Sequence, residues 1–201
     1  MDVTYPELAL HPRSLAGVRY PHPSLEDTYQ PGTTEPWIAQ LVCSLLVASG
    51  GRTALETGGF QGITSAWLAL TLERMGGGRL IVAEIESDRA AAIENRLHSL
   101  PALSGGCDVT CEVFAMDVMD VIRNQPNGSL DFVWLDDDHT KSHVVAEVEA
   151  LWPKMRHNGL LVFHDVYGVT DLQAVVKRFG GYSLDLPRLG PAGGIGILQV
   201  R

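Results

Sequence analysis

The feature that most constrains the fold is a regular alternation of short apolar runs with stretches of helical periodicity. The apolar runs, each of strand length, are Arg52–Glu56, Leu80–Glu84, Val109–Ala115, Leu130–Leu135 and Leu160–Phe163. The helical stretches between them are Thr64–Met75, Asp88–Leu100, Val118–Asn124 and Ser142–Met155. Such alternation is typical of a parallel sheet with helices on both of its faces. The sequence therefore predicts an α/β fold of the Rossmann-like, doubly wound kind.

The two ends of the chain depart from this alternation. Apolar residues from Glu35 onward recur at helical spacing until Gly50, which predicts an opening helix. Near the C-terminus a helix is predicted over Leu172–Phe179. Two strands, Tyr182–Leu186 and Gly194–Val200, then follow with no helix between them. They should pair as an antiparallel hairpin at the edge of a mostly parallel sheet.

Length and composition indicate one domain preceded by an arm. The chain has 201 residues, of which 45% are hydrophobic, enough for one well-packed core. Residues 1–34 have little periodicity and contain five prolines, which predicts an irregular N-terminal arm before a domain spanning 35–201. These prolines are Pro6, Pro12, Pro21, Pro23 and Pro31.

Charge and hydropathy exclude several classes of partner. The net charge is −9 and no Lys/Arg run offsets it, which opposes binding to a nucleic-acid backbone. The apolar stretches Leu41–Ala48 and Leu160–Phe163 are much shorter than the roughly 20 residues of a transmembrane helix. The segment Met1–Glu7 has two carboxylates and no basic cluster, so we expect no signal peptide. The sequence thus predicts a cytoplasmic protein, and its three cysteines, which lack a metal-binding spacing, should be reduced.

The segment Leu55–Ser65 runs from a strand through glycines into a helix. Glycines let a backbone approach a ligand closely, and the free N–H groups of the helix favour nucleotide-like ligands. Glu56, just before the first glycine, would repel a pyrophosphate and attract an ammonium group. The dinucleotide spacing G-x-G-x-x-G is also absent, because Phe60 and Gln61 interrupt it. An ordinary turn between a strand and a helix is the structural alternative.

Carboxylates also follow the next two strands. Glu84 ends the second strand about twenty residues past the loop, where an acidic side chain can accept both hydroxyls of a ribose. Met116 and Asp117 follow the third strand and could frame an adenine, although Asp117 could equally be a helix cap.

Two polar clusters follow the later strands. Asp136-Asp137-Asp138-His139 comes after Leu130–Leu135, and His164-Asp165 comes after Leu160–Phe163. Both should converge in the crevice at the carboxyl ends of the strands. They could bind a divalent cation, or they could act as helix caps and a buried structural histidine. His139 is the candidate general base because an imidazole titrates near neutrality. We expect His143, one turn further, to be exposed.

Residues 35–201 resemble class I S-adenosylmethionine-dependent methyltransferases. The resemblance is to small O-methyltransferases similar to catechol O-methyltransferase and the macrocin-type enzymes. It rests on Leu55–Ser65, Val82–Arg89 and Leu130–Val166, in the family's order and approximate spacing. The resemblance implies a seven-stranded sheet with one antiparallel strand. It also implies that Glu56 binds the amino group of the cofactor and Glu84 the ribose.

The same resemblance implies roles for the remaining positions. Thr64 would bind the cofactor carboxylate, Gly58 and Gly62 would shape the loop, and Asp117 and Asp136 complete the cofactor contacts. Metal ligands would be Asp136, His164 and Asp165, and Asp136 and His139 form the catalytic pair. The sequence has His164-Asp165 where Asp-Asn or Glu-Asp is usual, and an imidazole where a lysine often acts as base. The cation could therefore be Mg²⁺ or another divalent ion.

The resemblance implies methyl transfer to a small-molecule acceptor, with a hydroxyl oxygen favoured over a nitrogen. Two rivals stay open at this stage. One is a nicotinamide-dependent oxidoreductase, and the other is a non-catalytic S-adenosylmethionine-binding protein, because fold alone does not establish function. The expected partner is a small-molecule substrate, with a homodimer allowed and neither nucleic acid nor a membrane expected.

Overall fold

The computed structural model describes residues 33–100, 108–167, 172–184 and 194–201. Within these ranges the strands are β1 (Thr53–Thr57), β2 (Gly78–Glu84), β3 (Val109–Ala115), β4 (Leu130–Leu135), β5 (Met155–Phe163), β6 (Tyr182–Leu184) and β7 (Ile195–Gln199). The α-helices are α1 (Pro36–Ser49), α2 (Ile63–Arg74), α3 (Ser87–Ser99), α4 (Val118–Asn124), α5 (Lys141–Leu151) and α6 (Leu172–Arg178). The predicted arm lies outside the described residues except for Thr33 and Thr34.

The strands form one seven-stranded sheet in the order β3-β2-β1-β4-β5-β7-β6. The five strands β1 to β5 are parallel, and β7 runs antiparallel to both β5 and β6. The predicted α/β class and the antiparallel C-terminal hairpin are therefore confirmed. The last two residues of the predicted strand Tyr182–Leu186 lie outside the described part of the chain.

Helices cover both faces of the sheet, because successive strand residues point to opposite sides. Leu55 and Ile81 belong to a core that α4, α5 and α6 cover. Their neighbours Ala54 and Leu80 belong to a second core that α1, α2 and α3 cover. The doubly wound arrangement follows from these two buried layers, and it explains why β1, β2 and β4 are buried along most of their length.

One predicted boundary was wrong. The helix predicted to reach Met155 ends at Leu151, and a 3₁₀ turn, Trp152–Lys154, follows it. Pro153 explains the change, since proline has no N–H to continue the helical hydrogen bonds. Strand β5 then begins at Met155 rather than at Leu160, with a register shift against β4. The first half of β5 is polar and largely exposed, so the search for apolar runs did not identify it as part of the strand.

The order of the strands places a crevice between β1 and β4. Strands β2 and β3 extend the sheet on one side of β1, and β5 extends it on the other side of β4. Ligands bind at such a switch point, outside the carboxyl ends of the strands. Among the described residues, no helix is long and apolar enough to cross a membrane.

Candidate active site

A cavity of about 740 Å³ opens at the carboxyl ends of the parallel strands. Its volume falls within the range of small-molecule sites. The lining includes most of the residues predicted from the sequence: Gly58, Glu84, Asp117, Asp136, His139, His164 and Asp165. Glu56, Gly58 and Thr64 line a much smaller adjoining recess. The predicted residues therefore converge on one region of the crevice.

The glycine-rich loop passes very close to strand β4. Gly58 has a φ of 75°, and a Cβ atom at this position would overlap the backbone of Asp136. The N–H groups of Gly58 and Gly59 both bond to the carbonyl oxygen of Ala83, at 3.0 and 3.2 Å. Gly62, with a φ of 73°, precedes the first residue of α2. The left-handed conformation and the close approach both require glycine at Gly58.

Glu84 fastens this loop from the neighbouring strand. Its Oε2 accepts a hydrogen bond from the N–H of Phe60 at 2.8 Å, and its Oε1 accepts one from Glu86 at 2.9 Å. An ionised carboxylate has about four acceptor positions, so two remain for ribose hydroxyls. Asp117 lines the same cavity and also caps α4, accepting from the N–H of Met119 at 2.8 Å. The ribose and adenine contacts themselves stay predictions.

Glu56 is fully enclosed at the base of the crevice. Its carboxylate accepts a hydrogen bond from the hydroxyl of Ser65, and burial raises the pKa of Glu56 to about 8. The Ser65 hydrogen bond lowers that pKa, but by less than burial raises it. A cation bound beside Glu56 would favour its ionised form. The contact between Glu56 and the ammonium group of the cofactor stays a prediction.

Thr34, the last residue of the predicted N-terminal arm, also belongs to the site, although it was not among the predicted site residues. The hydroxyl of Thr64 donates to Oγ1 of Thr34 at 2.7 Å, and the hydroxyl of Thr34 donates to Oδ2 of Asp136 at 2.9 Å. Thr34 is buried and links the α2 end of the crevice to the end of β4. The predicted carboxylate-binding residue Thr64 is therefore part of a hydrogen-bonded chain that ends at Asp136.

His164 is held between two carboxylates. Its Nδ1 lies 2.9 Å from Oδ1 of Asp136, and its Nε2 lies 3.3 Å from Oε2 of Glu35. Burial lowers the pKa of His164, but the charge and hydrogen bonds of Asp136 and Glu35 outweigh it and raise the pKa to about 10. Glu35 was not predicted. It is the N-terminal cap residue of α1, but its side chain makes no capping hydrogen bond and bonds to His164 instead.

His139 has one ring nitrogen fixed and the other without a partner. Its Nδ1 lies 2.8 Å from the carbonyl oxygen of Asp137, so Nδ1 must carry the hydrogen of that bond. Its Nε2 is buried and has no hydrogen-bond partner among the described residues; it lies 3.6 Å from Oδ1 of Asp136 and 3.9 Å from Oδ2 of Asp165. Asp136 is the main cause of a raised pKa for His139.

Two of the three predicted metal ligands, Asp136 and His164, come together with the predicted base His139. Donor atoms of Asp136, His139 and His164 all lie within 4.8 Å of one another. Asp165 is adjacent, with Oδ1 3.7 Å from Nδ1 of His164. We call these four residues the first cluster. Its mixed oxygen and imidazole donors suit Mn²⁺, Fe²⁺ or Zn²⁺ better than Mg²⁺, which prefers oxygen ligands and retained waters.

A second cluster consists of Asp137, His143 and Glu147. The expectation that His143 is exposed was wrong, because its Nε2 lies 2.8 Å from Oδ2 of Asp137 and 3.7 Å from Oε2 of Glu147. Glu147 is completely buried, and in the segments that the structure describes neither of its carboxylate oxygens has a hydrogen-bond partner. Burial and the nearby Asp137 raise the pKa of Glu147. The contact between Asp137 and His143 depends on how residues 136–140 turn before the helix begins. The spacing of residues along the sequence does not predict that turn.

Comparisons with solved structures show the same fold. The O-methyltransferase TomG from Streptomyces achromogenes, in complex with S-adenosylmethionine, is 20% identical, with a TM-score of 0.63 over 96% of this chain and 90% of that one. The O-methyltransferase from Bacillus cereus, in complex with S-adenosylhomocysteine, is 17% identical, with a TM-score of 0.66 over 100% and 94%. The S-adenosylhomocysteine-bound methyltransferase PaMTH1 from Podospora anserina is 12% identical, with a TM-score of 0.66 over 100% and 99%.

Sequence comparisons identify the family. No curated protein sequence matches the chain. A family model described as a methyltransferase domain matches residues 55–166, which include the glycine-rich loop and both polar clusters. We conclude that the chain belongs to this methyltransferase-domain family and that, as its sequence predicts, it is an S-adenosylmethionine-dependent methyltransferase.

Proposed function

We propose that this methyltransferase acts on a hydroxyl oxygen of a small molecule and that His139 accepts the hydroxyl proton. One observation carries the proposal. Nδ1 of His139 is held by the carbonyl oxygen of Asp137, and Nε2 is a buried acceptor without a partner. A neutral imidazole of this tautomer has its lone pair on Nε2, facing the cavity residues Asp136 and Asp165.

The cofactor half of the crevice supports binding and orientation. S-adenosylmethionine, when bound, supplies an electrophilic methyl group on a sulfonium. Glu56 would bind its ammonium group, and Glu84 would bind its ribose hydroxyls from the end of β2. Gly58 brings the loop against the backbone of Asp136, and the bound cofactor would lie in the cavity that the loop, Glu84 and the first cluster line together. Positioning of this kind supplies much of the rate of an in-line displacement.

His139 would act at the acceptor half of the cavity. As the acceptor oxygen bonds to the methyl carbon, the bond from that carbon to sulfur breaks. The hydroxyl proton moves to Nε2 of His139. The carboxylate of Asp136, 3.6 Å from this nitrogen, then stabilises the imidazolium that forms. Asp136 would therefore be the second catalytic residue. Its negative charge would stabilise the imidazolium, and it would not itself transfer a proton.

A divalent cation fits the first cluster. Asp136, His164 and Asp165 would hold it, and it would orient the acceptor hydroxyl and lower the pKa of that hydroxyl. The observation that favours such an ion is the convergence of its ligands, because donor atoms of Asp136 and His164 lie within 4.8 Å of one another and Oδ1 of Asp165 lies 3.7 Å from Nδ1 of His164. His139 cannot ligate the ion and accept the proton with the same nitrogen. We therefore assign Nε2 of His139 the role of proton acceptor and not that of a metal ligand.

The acceptor class follows from the base. A neutral amine attacks without prior loss of a proton, whereas a hydroxyl near neutral pH needs a base to reach comparable nucleophilicity. The similar structures that are described as O-methyltransferases point in the same direction. Methylation of nitrogen is the second candidate. A cytoplasmic location and assembly as a homodimer stay predictions from the sequence.

An acceptor screen tests the proposal. Purified protein and S-adenosylmethionine with a labelled methyl group would be incubated with panels of phenols, catechols, sugars and amines. Parallel samples would contain excess chelator or added Mn²⁺ or Mg²⁺. We expect labelled ethers and no labelled amines, with higher rates in the samples that contain Mn²⁺. Products labelled only on nitrogen would overturn the proposal, as would tight cofactor binding without any turnover.

A further inference from the structure

We propose that the second cluster, Asp137, His143 and Glu147, is a binding site for a divalent transition-metal ion, separate from the first cluster. The three side chains each offer one donor atom, and these atoms all lie within 4.8 Å of one another. This inference does not depend on the acceptor or the base proposed above.

Two elements build the site. His143 and Glu147 are four residues apart on α5 and therefore share one face of the helix. Asp137 comes from the segment after β4, and its Oδ2 lies 2.8 Å from Nε2 of His143. The hydroxyl of Thr57, at the end of β1, lies 3.4 Å from the other carboxylate oxygen of Asp137. The cluster thus joins a helix to the end of the sheet.

Glu147 indicates that the cluster lacks a ligand. The residue has 0% exposure, and neither carboxylate oxygen has a hydrogen-bond partner within the described part of the chain. Among the described residues its only ion-pair partner is His143, at 3.7 Å from Oε2. A buried carboxyl group without a hydrogen-bond partner is costly, and a metal ion would replace its proton and occupy its lone pairs.

The donor set indicates the class of ion. One imidazole nitrogen and two carboxylate oxygens are ligands of Zn²⁺ and of neighbouring transition metals. Mg²⁺ is disfavoured, because it usually keeps several waters and the Glu147 carboxylate lies in the packed interior. Asp137 and His143 line the large cavity, so an ion could enter from the solvent side.

A bound ion would also affect the segment that contains the proposed base. The carbonyl oxygen of Asp137 accepts the hydrogen bond from Nδ1 of His139 at 2.8 Å. Fixing the carboxylate of Asp137 against α5 would therefore hold that carbonyl in place. The second cluster would act as a positioning site for residues 136–139.

Zinc binding to the full-length protein tests the proposal. A His139→Ala/His164→Ala variant removes both imidazoles of the first cluster, and Glu147→Gln is then added to it. Glu149→Gln, an exposed position on the same helix, is the matched control. Competition with a chromophoric chelator would measure one Zn²⁺ equivalent in the first variant and in the control. Adding Glu147→Gln should weaken this affinity at least about tenfold.

Anomalous diffraction from zinc-soaked crystals of the unsubstituted protein is the second measurement. We expect a peak between Asp137, His143 and Glu147. Equal zinc affinity with and without Glu147→Gln would overturn the proposal. So would an anomalous peak confined to the first cluster, or no zinc bound by the variant that lacks His139 and His164. Glutamine has the size of glutamate and no charge, so unfolding of this variant is not expected.

Discussion

The two clusters differ in how their charges are compensated, although they begin at adjacent residues. In the first cluster, His164 lies between Asp136 and Glu35, and the pKa of Asp136 stays below its usual value. In the second cluster, His143 bonds to Asp137 and leaves Glu147 without a hydrogen-bond partner. Neighbouring residues after a strand thus enter different environments: Asp136 is paired with His164 at 2.9 Å, whereas Asp137 belongs to a cluster whose other carboxyl, Glu147, is fully buried.

The largest expected effect is on turnover through the first cluster. His139→Ala should lower kcat by about 10²–10⁴-fold, because a positioned general base contributes about that much. Affinity for S-adenosylmethionine should change little, since His139 contacts neither the ammonium nor the ribose site. Steady-state kinetics and calorimetry on the same preparation would check both expectations. A loss of cofactor affinity as large as the loss of kcat would show that His139 supports the whole crevice.

Cofactor affinity should depend on a carboxylate outside both clusters. Glu84→Ala removes a charge-assisted pair of hydrogen bonds and should weaken cofactor binding by about 1.5–3 kcal/mol. Calorimetry with S-adenosylhomocysteine would measure the change. The control is Glu86→Ala, two residues further and more exposed. Equal losses in the two variants would contradict the assignment of the ribose to Glu84.

The pH dependence of stability should reveal the proton that Glu147 retains in the folded protein. The folded protein raises the pKa of Glu147 above its ordinary 4.5, so it retains a proton that the unfolded chain releases. Stability in chelator should therefore fall as the pH rises above 4.5. Glu147→Gln removes this term and should stabilise the protein by about 1–2 kcal/mol at pH 8, with less gain near pH 5. Urea unfolding across this pH range, with Glu149→Gln as control, would show a pH-independent difference if Glu147 were ionised throughout.

Metal binding to the first cluster should compete with one proton. Below about pH 10, His164 holds a proton that an ion on its ring nitrogen must displace. The affinity for Mn²⁺ should then rise about tenfold for each pH unit between pH 7 and 9. Calorimetry in buffers of different ionisation enthalpy would count the proton released. An affinity that does not change with pH would exclude His164 from the ligands.

The sequence alone was sufficient to predict the fold class and the position of the crevice in the sheet. Strands and helices could be predicted because apolar runs and helical periodicity depend on local spacing. The glycine-rich loop indicated which end of the sheet binds the ligand. Asp136, His139, His164 and Asp165 could be placed together because parallel strands end at one edge of the sheet. Their convergence in the structure follows from the adjacency of β4 and β5.

The remaining site residues depend on contacts between distant parts of the chain. Thr34 and Glu35 precede α1 and are 102 and 129 residues from Asp136 and His164, with no local pattern that marks them. His143 and Glu147 show only helical spacing, which is equally typical of a solvated face. Their burial depends on how α5 packs on the sheet, which no single segment specifies.

The pH dependence of kcat tests the central claim most directly. With saturating substrates and a fixed Mn²⁺ concentration, we expect kcat to rise with pH as His139 loses its proton. The midpoint should lie above 6.5, because Asp136 raises the pKa of His139. This rise should be absent from His139→Ala and present in His143→Ala, in which only the second cluster is altered. If His139→Ala kept the same rise with the same midpoint, another group would be the base and the account of the first cluster would be contradicted.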